Sequence, residues 1–303
     1  MAANIYSQIG SNKTKTWIIM FLFIVFFTFV AYVFGEALGY GSGWVGIMLI
    51  VSGAFSFFSY YNSDKLVLSI SGAKEADRKD YRTLYTTVEN LAIGAGIPMP
   101  KVYIVDDPSP NAFATGRDPK HAAVCVTSGL LPLMNKSELE GVLGHELSHI
   151  GNYDTRLMGI VAILVGSIAI LAQVFSRSLW WGGLGGRDRE ERDNNGAAIF
   201  MVIAIILSIL APIAATLIQL AVSRRREYLA DASGALLTRY PDELANALEK
   251  IANSTRPVMH ATPGTAHLYI EDPFKGKKIA GFVANLFSTH PPIEDRIRIL
   301  RAM

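Results

Sequence analysis

The stretch His145-Glu146-Leu147-Ser148-His149 places two histidines four positions apart, with a glutamate directly after the first one. On an α-helix such residues share one face and lie about 6 Å apart along the axis. Two imidazole nitrogens at that spacing can bind one zinc ion. Glu146 would lie beside the metal, where its carboxylate can take a proton from zinc-bound water and pass it to a leaving amine. The pattern therefore indicates a hydrolytic zinc centre.

The residues around this stretch predict that it is helical. Ser137 followed by Glu140 has the spacing of a capping box, and Gly151 with Asn152 is typical of a helix end. The apolar residues recur at helical spacing, at Leu139, Val142, Leu143, Leu147 and Ile150. The alternative interpretation is a capped amphipathic helix that carries two surface histidines and no metal.

A third zinc ligand is expected downstream, because a catalytic zinc usually has three protein ligands and one open position. Glu227 is the best candidate, and Asp231 lies four residues further on, so both share a face if the segment is helical. Asp231 would then accept the free N–H of a ligating imidazole such as His145 and fix its tautomer. The alternative is a solvated acid pair neutralised by Arg224–Arg226. We expect one zinc ion per chain.

Composition places the chain in the membrane class rather than among nucleic-acid-binding proteins. Half of the 303 residues are apolar, and the formal net charge is only +2. We find no dense basic face interleaved with aromatic residues, so no nucleic-acid partner is expected. The single cysteine, Cys125, excludes an internal disulfide and lies in an apolar run where a buried strand residue is expected.

Four apolar stretches are long enough to form helices that cross a lipid bilayer. They pair into two predicted hairpins: Trp17 to Phe34 with Trp44 to Tyr61, and Leu157 to Val174 with Ala197 to Val222. The first stretch resembles a signal peptide in having Lys13 and Lys15 before it, but it is long for one and a second span follows closely. The later pair has the alternative of buried core helices.

Basic residues suggest the orientation of these spans. Lys13, Lys15, Lys65 and Arg224–Arg226 flank them on one side, which the positive-inside rule assigns to the cytoplasm. Arginines in the loop 176–195 run against this rule. The predicted organisation is an N-terminal segment and first hairpin at residues 1–61, the first part of a cytoplasmic domain at 62–156, the second hairpin at 157–222 and the second part of that domain at 223–303. The predicted location is the cytoplasmic membrane.

The part of the chain between the hairpins predicts an α+β fold that is mainly helical with a small sheet. Short β-branched runs predict strands, and the spacing of apolar residues from Arg82 to Gly94 predicts a helix. The predicted strands are Leu66 to Ile70, Lys101 to Val105 and Ala122 to Thr127.

These motifs and their order resemble the HtpX family of membrane zinc proteases, relatives of the CaaX prenyl proteases, over essentially the whole chain. The matching segments are H-E-x-x-H at 145–149, E-x-x-x-D at 227–231, P-S-P-N-A-F-A-T-G at 108–116 and S-T-H-P-P at 288–292. The resemblance implies a zincin-type metalloprotease domain, Glu227 as the third zinc ligand, and proteolytic quality control of membrane proteins as the activity.

The resemblance also implies how a polypeptide substrate is held. Asn111, Ala112, Phe113 and Ala114 would form an edge strand that pairs with it. Free N–H and C=O groups of such a strand capture an extended peptide with little regard to its side chains, so broad specificity is expected. His290 becomes a candidate hydrogen-bond donor to the oxyanion of the tetrahedral intermediate, with a helix-entry residue before Pro291 as its alternative.

Three other functions are weaker interpretations of the same residues. An intramembrane protease would carry H-E-x-x-H inside a membrane helix, whereas polar residues such as Glu138 and Asp154 surround it here. A membrane scaffold or holdase with structural zinc would need a closed shell of four protein ligands, and only three are visible. A prenyl-protein processing enzyme would share the chemistry but contain more spans.

Overall fold

The computed structural model describes residues 5–38, 42–168, 224–259, 261, 262, 265, 268–270 and 291–303. Its helices are α1 Ile5–Leu38, α2 Ser42–Ile70, α3 Arg82–Ala95, α4 Lys136–Gly151, α5 at 154–168, α6 Arg224–Thr238, α7 Pro241–Ala252 and α8 Ile293–Leu300. The strands are β1 Lys74–Glu75, β2 Lys101–Val105, β3 Ala112–Gly116 and β4 Ala122–Thr127, with a 3-10 turn at Pro119–His121. The fold is mainly helical with a small mixed sheet, as predicted.

Helices α1 and α2 contain two segments long and apolar enough to cross a membrane, Ile9–Phe29 and Val45–Ile70. Only 28% and 17% of the residues in their apolar windows are buried. Large apolar side chains such as Phe21 (64% exposed) and Ile50 (73% exposed) point outward, which a core helix of a water-soluble protein would not allow. The protein is therefore a membrane protein.

The other two predicted spans are not described as fully. The third, Leu157 to Val174, is described only as far as residue 168, where it forms most of α5 and packs its side chains in the interior. The fourth, Ala197 to Val222, lies outside the described residues. The number of spans and the domain boundaries stay predictions.

The predicted strand at Leu66 to Ile70 is wrong, because these residues form the last turns of α2. The helix bends at Asn62 (φ −118°, ψ 16°) and then continues to Ile70. Val67 and Leu68 are buried against Val105 and Phe113 of the sheet. Long-range packing thus stabilises a helix in a segment whose β-branched residues are typical of strands.

The sheet has the order β1-β2-β4-β3. Strand β4 pairs in parallel with β2 and antiparallel with β3, and it carries Cys125, which is completely buried as expected. Burial raises the pKa of this thiol far above its usual range, so it stays protonated. Among the described strands, β3 has only β4 as a neighbour and therefore lies at the sheet edge. Helix α4 packs against β3, α3, α6 and α7. It lies at the centre of the part built from the four strands, α3, α4 and α6–α8, which we call the soluble part.

Candidate metal centre

Helix α4 begins with a capping box, but not the predicted one. The side chain of Asn135 accepts from the backbone N–H of Glu138, and the Glu138 carboxylate accepts from that of Asn135, both at 2.8 Å. The predicted pair Ser137 and Glu140 has the same spacing two residues later. The Glu138 carboxylate also contacts Nζ of Lys250 at 2.7 Å, which adds an ion pair to the cap.

Two glycines let helix α6 approach the first histidine very closely. A Cβ atom built on Gly234 would lie 2.8 Å from the backbone nitrogen of His145, nearer than real Cβ atoms come to backbone. On α4, Gly144 faces the carbonyl of Gly234 in the same contact. This approach brings Glu227 and Asp231 of α6 against the histidine face of α4.

The structure brings His145, His149 and Glu227 together in the interior. Their candidate ligand atoms all lie within 4.8 Å of one another, and all three residues are buried. The two histidine Nε2 atoms are 3.1 Å apart, and the Glu227 carboxylate oxygens lie 3.7 Å from Nε2 of His145 and 3.6 Å from Nε2 of His149. Helical spacing predicted the two histidines as a pair, whereas Glu227 was predicted from the need for a third ligand and from the family resemblance.

His145 is oriented by an acid and an arginine. Its Nδ1 lies 2.9 Å from the Asp231 carboxylate, which can only accept, so Nδ1 carries the proton. Arg296 of α8 donates to both oxygens of Asp231, from Nε at 2.8 Å and from Nη2 at 2.6 Å. Burial would raise the pKa of Asp231, but Arg296 and the bond from His145 lower it to about 2.

His149 is oriented by a different acid. Its Nδ1 donates to the Asp154 carboxylate at 2.9 Å, and Asp154 is the first residue of α5. Burial would lower the pKa of His149, but the bond to Asp154 and the nearby carboxylates of Glu227 and Glu146 raise it to about 9. The histidine therefore lies in a strongly negative environment.

These residues fit a zinc ion. Asp231 and Asp154 accept from the two Nδ1 atoms, which leaves Nε2 of each imidazole as the metal-binding nitrogen. A cation bound there would replace the proton that the two Nε2 atoms otherwise share at 3.1 Å. Zn–N distances of about 2.0–2.1 Å in a tetrahedral shell place two nitrogens about 3.3 Å apart, close to the observed separation. Two imidazoles and one carboxylate are a donor set found in catalytic zinc sites, which keep the fourth position open.

Glu146 lines the same small cavity as the two histidines and Glu227. Its carboxylate is buried, and burial raises its pKa, although His145, His149 and Arg296 act in the opposite direction. A carboxylate with a raised pKa is a better proton acceptor near neutral pH.

The cavity also reaches the predicted substrate strand. Phe113 and Ala114 of β3 line it, while Ala112 is buried in the strand. Asn111, just before β3, accepts a hydrogen bond from the backbone N–H of Ile270 at 2.9 Å. The cavity is completed by Met158 of α5 and by Leu268, Tyr269 and Ile270.

The sequence interpretation missed two residues of the site, Asp154 and Arg296. Asp154 follows His149 across the end of α4, so no helical spacing relates them. Arg296 lies 151 positions from His145, and no local pattern connects the two. His290, the predicted oxyanion donor, lies outside the described residues.

Comparisons with known proteins agree with this geometry. The sequence profile of peptidase family M48 matches residues 78–303. A protein of Dictyoglomus thermophilum named Protease HtpX homolog is 47% identical over 298 residues, covering 98% of this chain and 94% of the relative. A Lactobacillus acidophilus protein with the same name is 48% identical over 306 residues, covering 99% and 100%.

The fold is also similar to a solved structure, the crystal structure of S. mikatae Ste24p. The TM-score is 0.50 at 16% sequence identity, over 95% of this chain and 67% of the other. Similarity at this identity concerns the fold alone. The profile match and the nearly full-length relatives show that the chain belongs to peptidase family M48, as an HtpX-type metalloprotease.

Proposed function

We propose that this protein is a membrane-anchored zinc endopeptidase that hydrolyses peptide bonds of misfolded or damaged membrane proteins. The observation that carries the proposal is the pair of buried Nε2 atoms 3.1 Å apart, with Glu227 beside them and Glu146 in the same cavity. A structural zinc site would use a closed shell of four protein ligands, and the described residues offer three.

His145, His149 and Glu227 would hold the ion. When bound, zinc would polarise the scissile carbonyl and lower the pKa of water. Glu146 takes the proton of the attacking water and passes it to the leaving amine, so it acts first as a base and then as an acid. Asp231 and Asp154 keep both imidazoles in the tautomer that leaves Nε2 free.

The substrate would bind as an extended strand along β3. Strand β3 lies at the sheet edge, and Phe113 and Ala114 line the cavity that contains Glu146. Backbone pairing by residues 112–114 would hold a peptide without selecting its side chains. The backbone N–H and C=O of Asn111 are already bonded to Thr127 of β4, so this residue would contribute its side chain at most. Broad specificity of this kind suits the removal of damaged proteins of many sequences.

The location of the cavity supports membrane proteins as substrates. Helix α5, the start of the predicted second hairpin, contributes Met158 to the cavity wall. The basic flanks of the predicted spans assign the soluble part to the cytoplasmic side. The active site would then meet loops, unfolded segments and partly extracted chains at the cytoplasmic surface.

The proposal is tested by replacing Glu146 with Gln and measuring cleavage of an unfolded protein in detergent with zinc. We expect at least a 100-fold loss of cleavage, within the range for a general base, with zinc content retained. Glu140→Gln is the matched control, since it makes the same change on α4 outside the cavity. Undiminished cleavage by Glu146→Gln would refute the mechanism.

A further inference from the structure

Asn12 of helix α1 is completely buried, although it lies at the start of the first membrane segment. A carboxamide that leaves water costs free energy unless its hydrogen-bonding groups find partners. Polar residues in membrane helices are therefore expected to face protein and to have a specific role.

Both the amino group and the carbonyl oxygen of the Asn12 side chain form hydrogen bonds. Its Nδ2 donates to the Asp154 carboxylate at 2.7 Å and to the carbonyl of Asn152 at 3.0 Å. Its Oδ1 accepts from Nη1 of Arg226, on α6, at 3.1 Å. Helix α1 is thus hydrogen-bonded to the end of α4, the start of α5 and the start of α6.

The bond to Asp154 leads directly to the metal centre. Asn12 contacts Oδ1 of Asp154, whereas the other oxygen, Oδ2, accepts from Nδ1 of His149 at 2.9 Å. The two contacts fix the rotation of the carboxylate, so that one oxygen stays aimed at the histidine. Two hydrogen bonds therefore join the first membrane helix to a proposed zinc ligand, from Asn12 to Asp154 and from His149 to Asp154.

The turn that carries Asp154 needs such support. Tyr153 has a φ of 59°, in the left-handed region that a bulky residue rarely adopts. Its ring lies under the ammonium group of Lys13, 4.3 Å from the ring centroid. Neighbouring residues of α1 thus hold both the turn and the carboxylate that follows it.

We propose that Asn12 is a positioning residue of the metal centre, through which the first membrane helix holds Asp154 and His149 in the geometry that binds zinc. The inference rests on the proposed function and adds to it that α1 is part of the site as well as an anchor. Zinc affinity would then depend on how α1 is seated in the membrane and against the soluble part.

The test is the zinc affinity of full-length Asn12→Leu in detergent, measured by competition with a chelator. Leucine keeps the branching at Cγ and has no hydrogen-bonding group, but its two methyl groups are bulkier than the carboxamide. We expect affinity to fall about 3 to 10 fold, less than the roughly 10 to 100 fold typical of removing a residue that contacts a ligand directly. The absorption spectrum of the cobalt-loaded protein should shift in the same variant. Asn12→Ala, which adds no bulk, should show a similar loss of zinc affinity.

Thr16→Val is the matched control. Thr16 lies one turn further along α1, is equally buried, and its hydroxyl donates to the carbonyl of Asn12. This variant should keep zinc affinity within twofold. A loss equal to that of Asn12→Leu would show that general packing of α1 is responsible and would overturn the proposal.

A double-mutant cycle with Asp154→Ala tests whether Asn12 acts through Asp154. The effect of Asn12→Leu should largely disappear in that background, because the carboxylate it orients is gone. The inference would be refuted if Asn12→Leu lowered zinc affinity equally with and without Asp154, or if Asn12→Leu and Asn12→Ala left affinity unchanged. In either case zinc binding and cleavage by the wild type would still support the proposed function. A wild-type protein that binds no zinc would instead refute the proposed function.

Discussion

The two histidines of α4 each contact a buried carboxylate, but different residues hold the two carboxylates in place. Each donates its Nδ1–H to a carboxylate at 2.9 Å. Behind His145, Asp231 of α6 is held by Arg296 of α8, so the whole arm lies in the soluble part. Behind His149, Asp154 of α5 is held by Asn12 of the first membrane helix.

The difference indicates that the two histidines of the proposed zinc site are supported with different strength. Asp231 with Arg296 is called the firm arm, and Asp154 with Asn12 is called the softer arm. A guanidinium that donates two charge-assisted bonds to one carboxylate is stronger and geometrically more exact than a neutral amide that donates one. On the softer arm the guanidinium of Arg226 is also near, with its Nε 3.7 Å from the Asp154 carboxylate. We therefore expect the His145 arm to fix the geometry of the proposed site and the His149 arm to couple it to the first membrane helix.

The largest effect is expected from breaking the firm arm with Arg296→Met. Removal of this buried cation leaves Asp231 without its bidentate partner, and loss of one member of a buried ion pair typically costs about 3–5 kcal/mol. We expect a lower unfolding temperature and a lower zinc content, measured by thermal unfolding in detergent and metal analysis.

Arg298→Met is the control for that experiment, because Arg298 lies on the same helix, is exposed, and pairs only locally with Asp295 among the contacts described. Exposed pairs contribute about 0–1 kcal/mol, so its stability should stay close to that of the wild type. Equal losses in the two variants would contradict the firm arm.

A smaller effect is expected when the acids themselves are changed, and here the arms can be compared directly. Asp231→Asn and Asp154→Asn should each weaken zinc binding by about 10 to 100 fold. Asp231→Asn should lower stability more, since it removes a bidentate partner of the buried Arg296 at 2.6–2.8 Å, whereas Asp154 lies 3.7 Å from the buried Arg226. Chelator competition and thermal unfolding of both variants measure the two quantities, and a larger stability loss in Asp154→Asn would reverse the assignment of the arms.

The sequence interpretation predicted the parts of the site that helical spacing controls. His145 and His149 share a face of α4, and Glu227 and Asp231 share a face of α6, so local periodicity was enough to group them. Asp154 and Arg296 were missed because one follows a turn and the other comes from a distant helix. Their roles depend on how elements pack, which no local pattern records.

The fold, like the site, was predictable where a local sequence pattern decides the structure. Strands β2 and β4 and helix α3 follow from local composition, and the structure confirms them. The end of α2 at Leu66 to Ile70 was not predicted, because a buried contact with the sheet decides it. The cap at Asn135 was missed although Asn135 and Glu138 have the same capping-box spacing as Ser137 and Glu140. A tertiary contact overrides local preference only in the first case.

The smallest effect is expected from metal removal, measured by hydrogen exchange with and without a chelator. Loss of zinc should increase exchange more in residues 152–156, on the softer arm, than in residues 231–235, on the firm arm. Bidentate pairing with Arg296 should keep the second segment protected without the ion. Equal increases in both segments would show that the arms do not differ in strength.

The central claim is tested most directly by anomalous diffraction at the zinc absorption edge from crystals of the full-length protein. We predict one zinc per chain, bound by Nε2 of His145, Nε2 of His149 and the carboxylate of Glu227, with no fourth protein ligand. A zinc site elsewhere, no zinc at this position, or a closed shell of four protein side chains would contradict the account.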